Sequence, residues 1–138
     1  PLQDHFKTTS DHFKRLFWCR IQFHSNLYNI GGARAELLKW EQHVASAHKQ
    51  PLEVLKILTD NDNEESLVYI TIAGRSNALS GFVGANSTFP TIACPPFVDK
   101  TAMLVNIHST LQMPSNTPVL TILDPKNCAI AISRIFKV

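Results

Sequence analysis

The sequence predicts an α/β fold, a three-layer α/β/α sandwich built on a parallel sheet. Short apolar segments rich in β-formers recur along the chain, and segments with helical composition or helix-capping residues separate them. The most apolar of these segments lack polar alternation, which is typical of parallel strands covered on both faces. Strands that alternate with helices predict a parallel sheet with helices on both sides.

The first half of the chain contains two predicted strands and two predicted helices. Strands are predicted at residues 16–21 and 43–45, where apolar and β-branched residues cluster. One helix is predicted over residues 33–40 because of its composition. A second helix is predicted to begin at Pro51, since proline is suited to a first helical turn. The predicted apolar face of the second helix consists of Leu52, Leu55 and Leu58.

The second half repeats the strand pattern three times. After a solvated loop at 61–65, strands are predicted at residues 67–73, 91–94 and 119–123. Asp124 is a good N-cap for the last helix, with a proline directly after it. The predicted apolar face of this helix consists of Ala129, Ile132, Ile135 and Phe136.

Length and composition limit the classes of protein to consider. A chain of 138 residues suits one domain, predicted over residues 14–138, with a leader at 1–13 that is flexible or a short amphipathic helix. Net charge is +2 and no basic run occurs, so neither nucleic acid nor a membrane surface is an expected partner. No apolar run approaches the roughly 20 residues of a transmembrane helix. Three widely spaced cysteines favour a reducing, cytoplasmic location.

The residues after each predicted strand are the candidate site residues, because parallel α/β sheets bind ligands beyond the carboxyl ends of their strands. These are residues 46–49, 74–77 and 95–96. His48 can exchange a proton near neutral pH, although its position alone favours an exposed loop histidine over a catalytic one. Lys49 can hold a phosphate or be an ordinary solvated lysine.

In the second of these segments, residues 74–77, the candidate features are backbone conformation and helix capping rather than a titratable side chain. Gly74 permits close approach to a ligand, and either Ser76 or Asn77 can cap the following helix. The alternative is an ordinary strand-to-helix turn. Cys94-Pro95-Pro96 predicts a fixed turn, cis or trans, and the remaining histidines lack metal-ligand spacing, so no metal is expected.

Taken together, these motifs resemble one known family, the aminoimidazole ribonucleotide carboxylases. The resemblance covers residues 44–136 and is strongest in Ser46-Ala47-His48-Lys49 and in Ala73-Gly74-Arg75-Ser76-Asn77. The lysine after the histidine and the Ala-Gly-Arg-Ser-Asn element resemble the class that uses CO2 directly. The resemblance implies a flavodoxin-like sheet, no cofactor, a cytoplasmic homo-octamer, and small-molecule substrates, namely aminoimidazole ribonucleotide and CO2.

The resemblance also implies roles for individual residues. His48 matches the family's proton shuttle, while Ser46 and Lys49 match positions near the phosphate and ribose. The segment formed by Gly74, Arg75, Ser76 and Asn77 matches the loop around the ring and CO2. The family's first-strand phosphate motif aligns with Gln22-Phe23-His24-Ser25-Asn26, in which Ser25 and Asn26 are the implied substrate contacts.

This altered first-strand motif leaves two further interpretations open beside an active carboxylase. Phe23 provides no donor for a phosphate, and Gln22 lacks the backbone freedom of glycine. One alternative is therefore a non-catalytic or weakened family member that keeps the scaffold and binds a nucleotide or a partner. The other is a gene product whose N-terminal part is not native family sequence.

Overall fold

The computed structural model describes residues 17–23, 38–74 and 76–137. Within these ranges the strands are β1 (Phe17–Phe23), β2 (Leu38–Val44), β3 (Leu67–Ile72), β4 (Thr91–Ala93) and β5 (Leu120–Thr121). The helices are α1 (Pro51–Asp60), α2 (Ala78–Asn86), α3 (Lys100–Leu111) and α4 (Pro125–Phe136). The predicted leader at 1–13 lies outside the described residues.

The five strands form one sheet in the order β2-β1-β3-β4-β5, which is the strand order of flavodoxin-like folds. Strands β3, β4 and β5 are parallel, as predicted. Strand β1 runs antiparallel to both of its neighbours, so the expectation of a parallel first strand is wrong. Because β2 and β3 are each antiparallel to β1, they point in the same direction.

The predicted helix over residues 33–40 is wrong for its last three residues, which belong to β2. Leu38 lies opposite Phe23 and Trp40 opposite Ile21 in the ladder with β1. This pairing overrides the helical composition of the segment, since intrinsic propensity is weaker than tertiary context. The predicted strand at 43–45 is confirmed for its first two residues, at the end of β2.

The core lies on both faces of β3, which confirms that this strand is covered on two sides. On one face, Leu67 and Tyr69 belong to a buried cluster with Val54 of α1 and Leu79 of α2. On the other face, the buried cluster consists of Val68, Ile70, Ile92, Cys94, Cys128 and Ile132. Helices α1 and α2 therefore cover one face and α4 the other, which gives the three predicted layers.

Two helices bury slightly different faces from those predicted. In α1 the buried residues are Val54, Ile57 and Leu58, whereas Leu52 is 79% exposed. In α4 the buried residues are Cys128, Ala129 and Ile132, whereas Ile135 is 42% exposed. The N-cap prediction for α4 is confirmed, because the Asp124 carboxylate accepts the Asn127 N–H at 2.8 Å. The spacing of apolar residues alone does not define which side of α1 or α4 faces the sheet.

The sequence does not predict helix α3, because the apolar residues of this helix do not form one buried stripe. Thr110 is its only buried residue, while Leu104 is 63% and Val105 71% exposed. The helix begins at Asp99, whose carboxylate accepts the Ala102 N–H at 2.8 Å. No helix in the described part of the chain is long and apolar enough to cross a membrane.

Candidate active site

Four strands end at the same edge of the sheet, and their following loops make up the candidate site. Val44 of β2 and Ile72 of β3 both lie opposite Phe17, so the two strands end level with each other. One step further across the sheet, Thr71 lies opposite Ala93, which lies opposite Thr121. The carboxyl ends of β2, β3, β4 and β5 are thus aligned, and this is the edge at which parallel α/β sheets bind ligands.

The loop after β2 presents two charged or titratable side chains to solvent. Ser46 is buried, and its hydroxyl oxygen accepts the Lys49 N–H at 3.2 Å while its carbonyl accepts the Gln50 N–H at 2.7 Å. These bonds close a tight turn that leads into α1. His48 and Lys49 are exposed at this turn. An imidazole and an ammonium group from neighbouring residues are therefore both exposed at the ligand-binding edge.

The loop after β3 is packed against the loop after β4. A Cβ added to Gly74 would lie 3.2 Å from the carbonyl oxygen of Pro96, which is closer than most such contacts. Ser76 has a φ of 38°, a backbone conformation that residues with a side chain adopt at a cost. The peptide bonds before Pro95 and Pro96 are trans. Arg75, the remaining residue of the predicted segment, lies outside the described residues.

Asn77 is the N-cap of α2, as one of the two alternatives in the sequence predicted. It is 4% exposed, and its side-chain oxygen accepts the Ser80 N–H at 3.3 Å. Its side-chain amide donates to the Thr110 hydroxyl at 2.9 Å, and its backbone N–H donates to the Ser109 hydroxyl at 3.0 Å. The last turn of α3 is therefore bonded to the start of α2.

Ser109 and Thr110 are the residues of this edge that sequence reasoning missed. They lie in a helix that no apolar period reveals, so their only signal is two adjacent hydroxyl residues. The following segment also contacts α2, since a Cβ on Gly81 would lie 3.4 Å from the Met113 sulfur. The loop from Gln112 to Ser115 thus packs beside the candidate site.

Cys94 lies at the end of β4, directly before the two prolines. Its N–H donates to the Thr71 carbonyl at 2.9 Å, and both Cys94 and Cys128 are buried free thiols in the same core cluster. A hydrogen bond with Cys128 lowers the pKa of the Cys94 thiol, while burial and the Asp124 carboxylate act in the opposite direction. This thiol pair connects the β4 loop to α4.

Strand β1, which leads into the predicted phosphate motif, ends at the edge of the sheet opposite to the candidate site. Phe23, the last residue of β1, lies opposite Leu38, and Gln22 lies opposite Leu67 at the start of β3. The end of β1 is therefore on the side of the sheet away from His48. Ser25 and Asn26 lie outside the described residues, and their role stays a prediction.

One cavity in the described part of the chain lies away from His48. It has a volume of about 520 Å³ between the end of α3 and β5. The residues around it are Thr110, Leu111, Met113, Pro114, Asn116, Thr117, Pro118, Val119 and Thr121. The residues after β2 and β3 do not line this cavity, so it is separate from the candidate site.

Comparison with known proteins identifies the family. The AIR carboxylase family matches residues 33–138. Phosphoribosylaminoimidazole carboxylase of Archaeoglobus fulgidus is 46% identical over 93 residues, which are 67% of this chain and 51% of that protein. The enzyme of the same name from Treponema denticola is 43% identical over 100 residues, or 72% of this chain and 62% of that protein.

A solved structure supports the same assignment. The crystal structure of Treponema denticola PurE superposes with a TM-score of 0.63 at 46% identity, over 67% of this chain and 59% of that one. The chain thus spans between half and two thirds of the length of these relatives. Gln22 to Asn26 precede the residues that the family matches. Since the family match covers most of the chain, and includes both strand-end motifs, the chain belongs to the AIR carboxylase family.

Proposed function

We propose that this protein catalyses the reversible carboxylation of 5-aminoimidazole ribonucleotide by CO2, which gives the 4-carboxylate in de novo purine biosynthesis. The observation that carries the proposal is that Ser46–Lys49 lie at the same sheet edge as Gly74 and Asn77, in a chain of the AIR carboxylase family. The named enzymes among its relatives point to the same reaction.

The chemistry asks little of the protein beyond positioning and one proton transfer. The amino group makes the ring C4 of the substrate nucleophilic, so C4 attacks the carbon of CO2 and one C–C bond forms. Loss of the C4 proton then restores the aromatic ring. In the reverse direction C4 gains a proton, the C–C bond breaks, and CO2 leaves. Holding CO2 against C4 contributes several kcal/mol, since the encounter becomes intramolecular.

His48 is the proposed proton shuttle. Its imidazole is exposed at the carboxyl end of β2, where it is free to take a proton from C4 and return it. Lys49 is proposed to bind the substrate phosphate as a point charge, and the Ser46 hydroxyl, which accepts the Lys49 N–H, retains its own proton for the substrate.

The loop after β3 is proposed to line the ring and CO2. Gly74 lets the backbone approach the ligand, and the turn at Ser76 shapes the loop. Arg75 is the proposed cationic group of this loop. Asn77 is proposed to contribute to the site by fixing the end of the same loop. Ser25 and Asn26 are proposed as further substrate contacts in the full assembly.

The proposed enzyme is a cytoplasmic homo-octamer whose catalytic domain spans residues 14–138. Support for assembly comes from α3, where Leu104, Val105 and Leu111 are each at least 60% exposed. An apolar surface of this kind is characteristic of a face that contacts another protein copy.

The direct test uses the purified protein and the carboxylated ribonucleotide, without ATP and after treatment with a metal chelator. Loss of the carboxylate is followed by ultraviolet absorbance, with the heat-denatured protein as control. Decarboxylation well above the uncatalysed rate is the expected result. Tight binding of the ribonucleotide in calorimetry, with no turnover at any protein concentration, would contradict the proposal.

A further inference from the structure

Every polar group of Asn77 is occupied by a partner within the protein. Its N–H and side-chain amide donate to Ser109 and Thr110 of α3, at 3.0 and 2.9 Å. Its side-chain oxygen accepts the Ser80 N–H, and its carbonyl accepts the Ser80 hydroxyl, both at 3.3 Å. Asn77 and Thr110 are 4% and 2% exposed, so the bond between them is shielded from water and stronger for it, whereas Ser109 is exposed and its bond to Asn77 is half-buried.

The residue before Asn77 adopts a backbone conformation that it would not choose alone. Ser76 has a φ of 38°, and the Ala78 N–H donates to its carbonyl at 2.6 Å. Such conformations persist when the surrounding structure over-determines them. The hydrogen bonds from Asn77 to α3 can maintain this conformation of Ser76, because they fix the residue that directly follows it.

The two hydroxyl groups of α3 are themselves oriented. The Ser109 hydroxyl donates to the Asn106 carbonyl at 2.9 Å, so its lone pairs are available to accept the Asn77 N–H. Thr110 is buried, which leaves its oxygen directed at the Asn77 amide rather than at solvent. Neither residue contacts the proposed substrate-binding segments except through Asn77, as far as the described hydrogen bonds show.

We propose that Ser109 and Thr110 are positioning residues of the carboxylase site, which fix the backbone at Ser76 and the start of α2 through Asn77. This inference rests on the proposed function for its effect on turnover, but not for its effect on the loop. The two hydroxyls act on different amides: Thr110 secures the side chain that accepts the Ser80 N–H, and Ser109 accepts the Asn77 N–H itself.

The test compares Thr110→Val, which removes the hydroxyl with little change of shape, with Thr110→Ser, which keeps it. Ser109→Ala is the second probe, and Thr59→Val is the matched control, because Thr59 is an exposed helical threonine whose hydroxyl bonds only within α1. Amide hydrogen exchange is measured by NMR in the full chain, at a temperature where circular dichroism shows each variant folded.

Exchange reports on the loop without any assumption about the reaction. Thr110→Val is expected to speed exchange of the Ser80 amide about fivefold or more, and Ser109→Ala that of the Asn77 amide, while Thr110→Ser and Thr59→Val leave both unchanged. Unchanged exchange at both amides in the folded Thr110→Val and Ser109→Ala variants would overturn the proposal.

Turnover reports on the catalytic consequence. Thr110→Val is expected to lower kcat by roughly 10- to 100-fold, since small displacements of a substrate-positioning loop are costly, with KM nearly unchanged. Thr110→Ser should recover most of kcat, and equal losses in the two variants would contradict a role for the hydroxyl. If the wild-type protein shows no turnover but Thr110→Val still speeds exchange, the proposed reaction fails and the positioning of the loop stands.

Discussion

The backbone of Gly74 lies against the carbonyl group of Pro96, and a Cβ at position 74 would be 3.2 Å from that oxygen. The two residues belong to the loops after β3 and β4, so this contact sets the distance between two parts of the candidate site. No left-handed backbone conformation is involved at Gly74, and the requirement for glycine there is one of space.

Gly74→Ala is therefore expected to separate the two loops by a few tenths of an ångström and to lower turnover about tenfold or more, because the reacting groups lose their alignment. Steady-state decarboxylation kinetics measure this. The matched control is Gly81→Ala, where the new Cβ would make an ordinary contact, 3.4 Å from the Met113 sulfur. That helix-interior change should raise stability by about 0.5–1 kcal/mol and leave turnover unaltered. Equal kinetic losses in both variants would contradict the explanation.

Much of the fold follows from local sequence patterns. The parallel strands β3 and β4 are short apolar runs, and the helices α1 and α4 begin with a proline at the first turn. These signals are local, so they can be detected in one sequence. The direction of β1 is not local, because it depends on which edge of β3 the strand pairs with, and the assignment of residues 38–40 to β2 depends on that same pairing.

Asn116 adopts a left-handed backbone conformation, with a φ of 62°, in the loop between α3 and β5. Asparagine tolerates this conformation better than other residues that carry a Cβ. Asn116→Val is expected to lower the free energy of unfolding by about 1–2 kcal/mol, whereas Asn116→Gly should preserve it. Urea denaturation measures both changes, and a valine variant as stable as the wild type would show that the turn readily relaxes.

The Asp124 carboxylate accepts the Asn127 N–H at 2.8 Å and caps α4. Asp124→Ala is expected to lower the free energy of unfolding by about 1 kcal/mol, because one N–H at the helix start loses its partner. Asp124→Asn keeps a capping oxygen and should recover most of the loss. Thermal unfolding by circular dichroism distinguishes the variants, and identical loss with Ala and Asn would assign the effect to charge instead.

The hydrogen bond from Cys128 lowers the pKa of Cys94 from its ordinary value of 9.0. In the folded state Cys94 therefore releases its proton at a lower pH than in the unfolded state. Stability should rise with pH between the lowered folded pKa and 9.0, and this gain should be lost as pH falls through the folded pKa.

Cys128→Ala removes the bond and is expected to raise the pKa of Cys94. Thiolate absorbance during a pH titration measures the change, with Cys94→Ala identifying the contribution of that residue. The stability gain toward alkaline pH should disappear in the same variant. A titration of Cys94 that Cys128→Ala leaves unmoved would show that the hydrogen bond does not set this pKa.

The candidate site was only partly predictable from the sequence. His48, Lys49 and Asn77 could be found because they lie in the segments after two predicted strands, and the sheet brings the ends of those strands to one edge. Thr110 could not be found, because it is brought to Asn77 by a helix without an apolar period and is separated from it by 33 residues. Contacts of this kind are properties of packing and leave no local pattern.

His48 is the proposed shuttle of the proton at C4 of the substrate. The most direct measurement is the rate of ATP-free decarboxylation of the carboxylated ribonucleotide by His48→Asn, compared with His108→Asn, a change at another exposed histidine. Loss of the shuttle should lower kcat at least about 100-fold in the folded His48 variant, while the His108 variant turns over like the wild type. Near-normal turnover by folded His48→Asn would contradict the account.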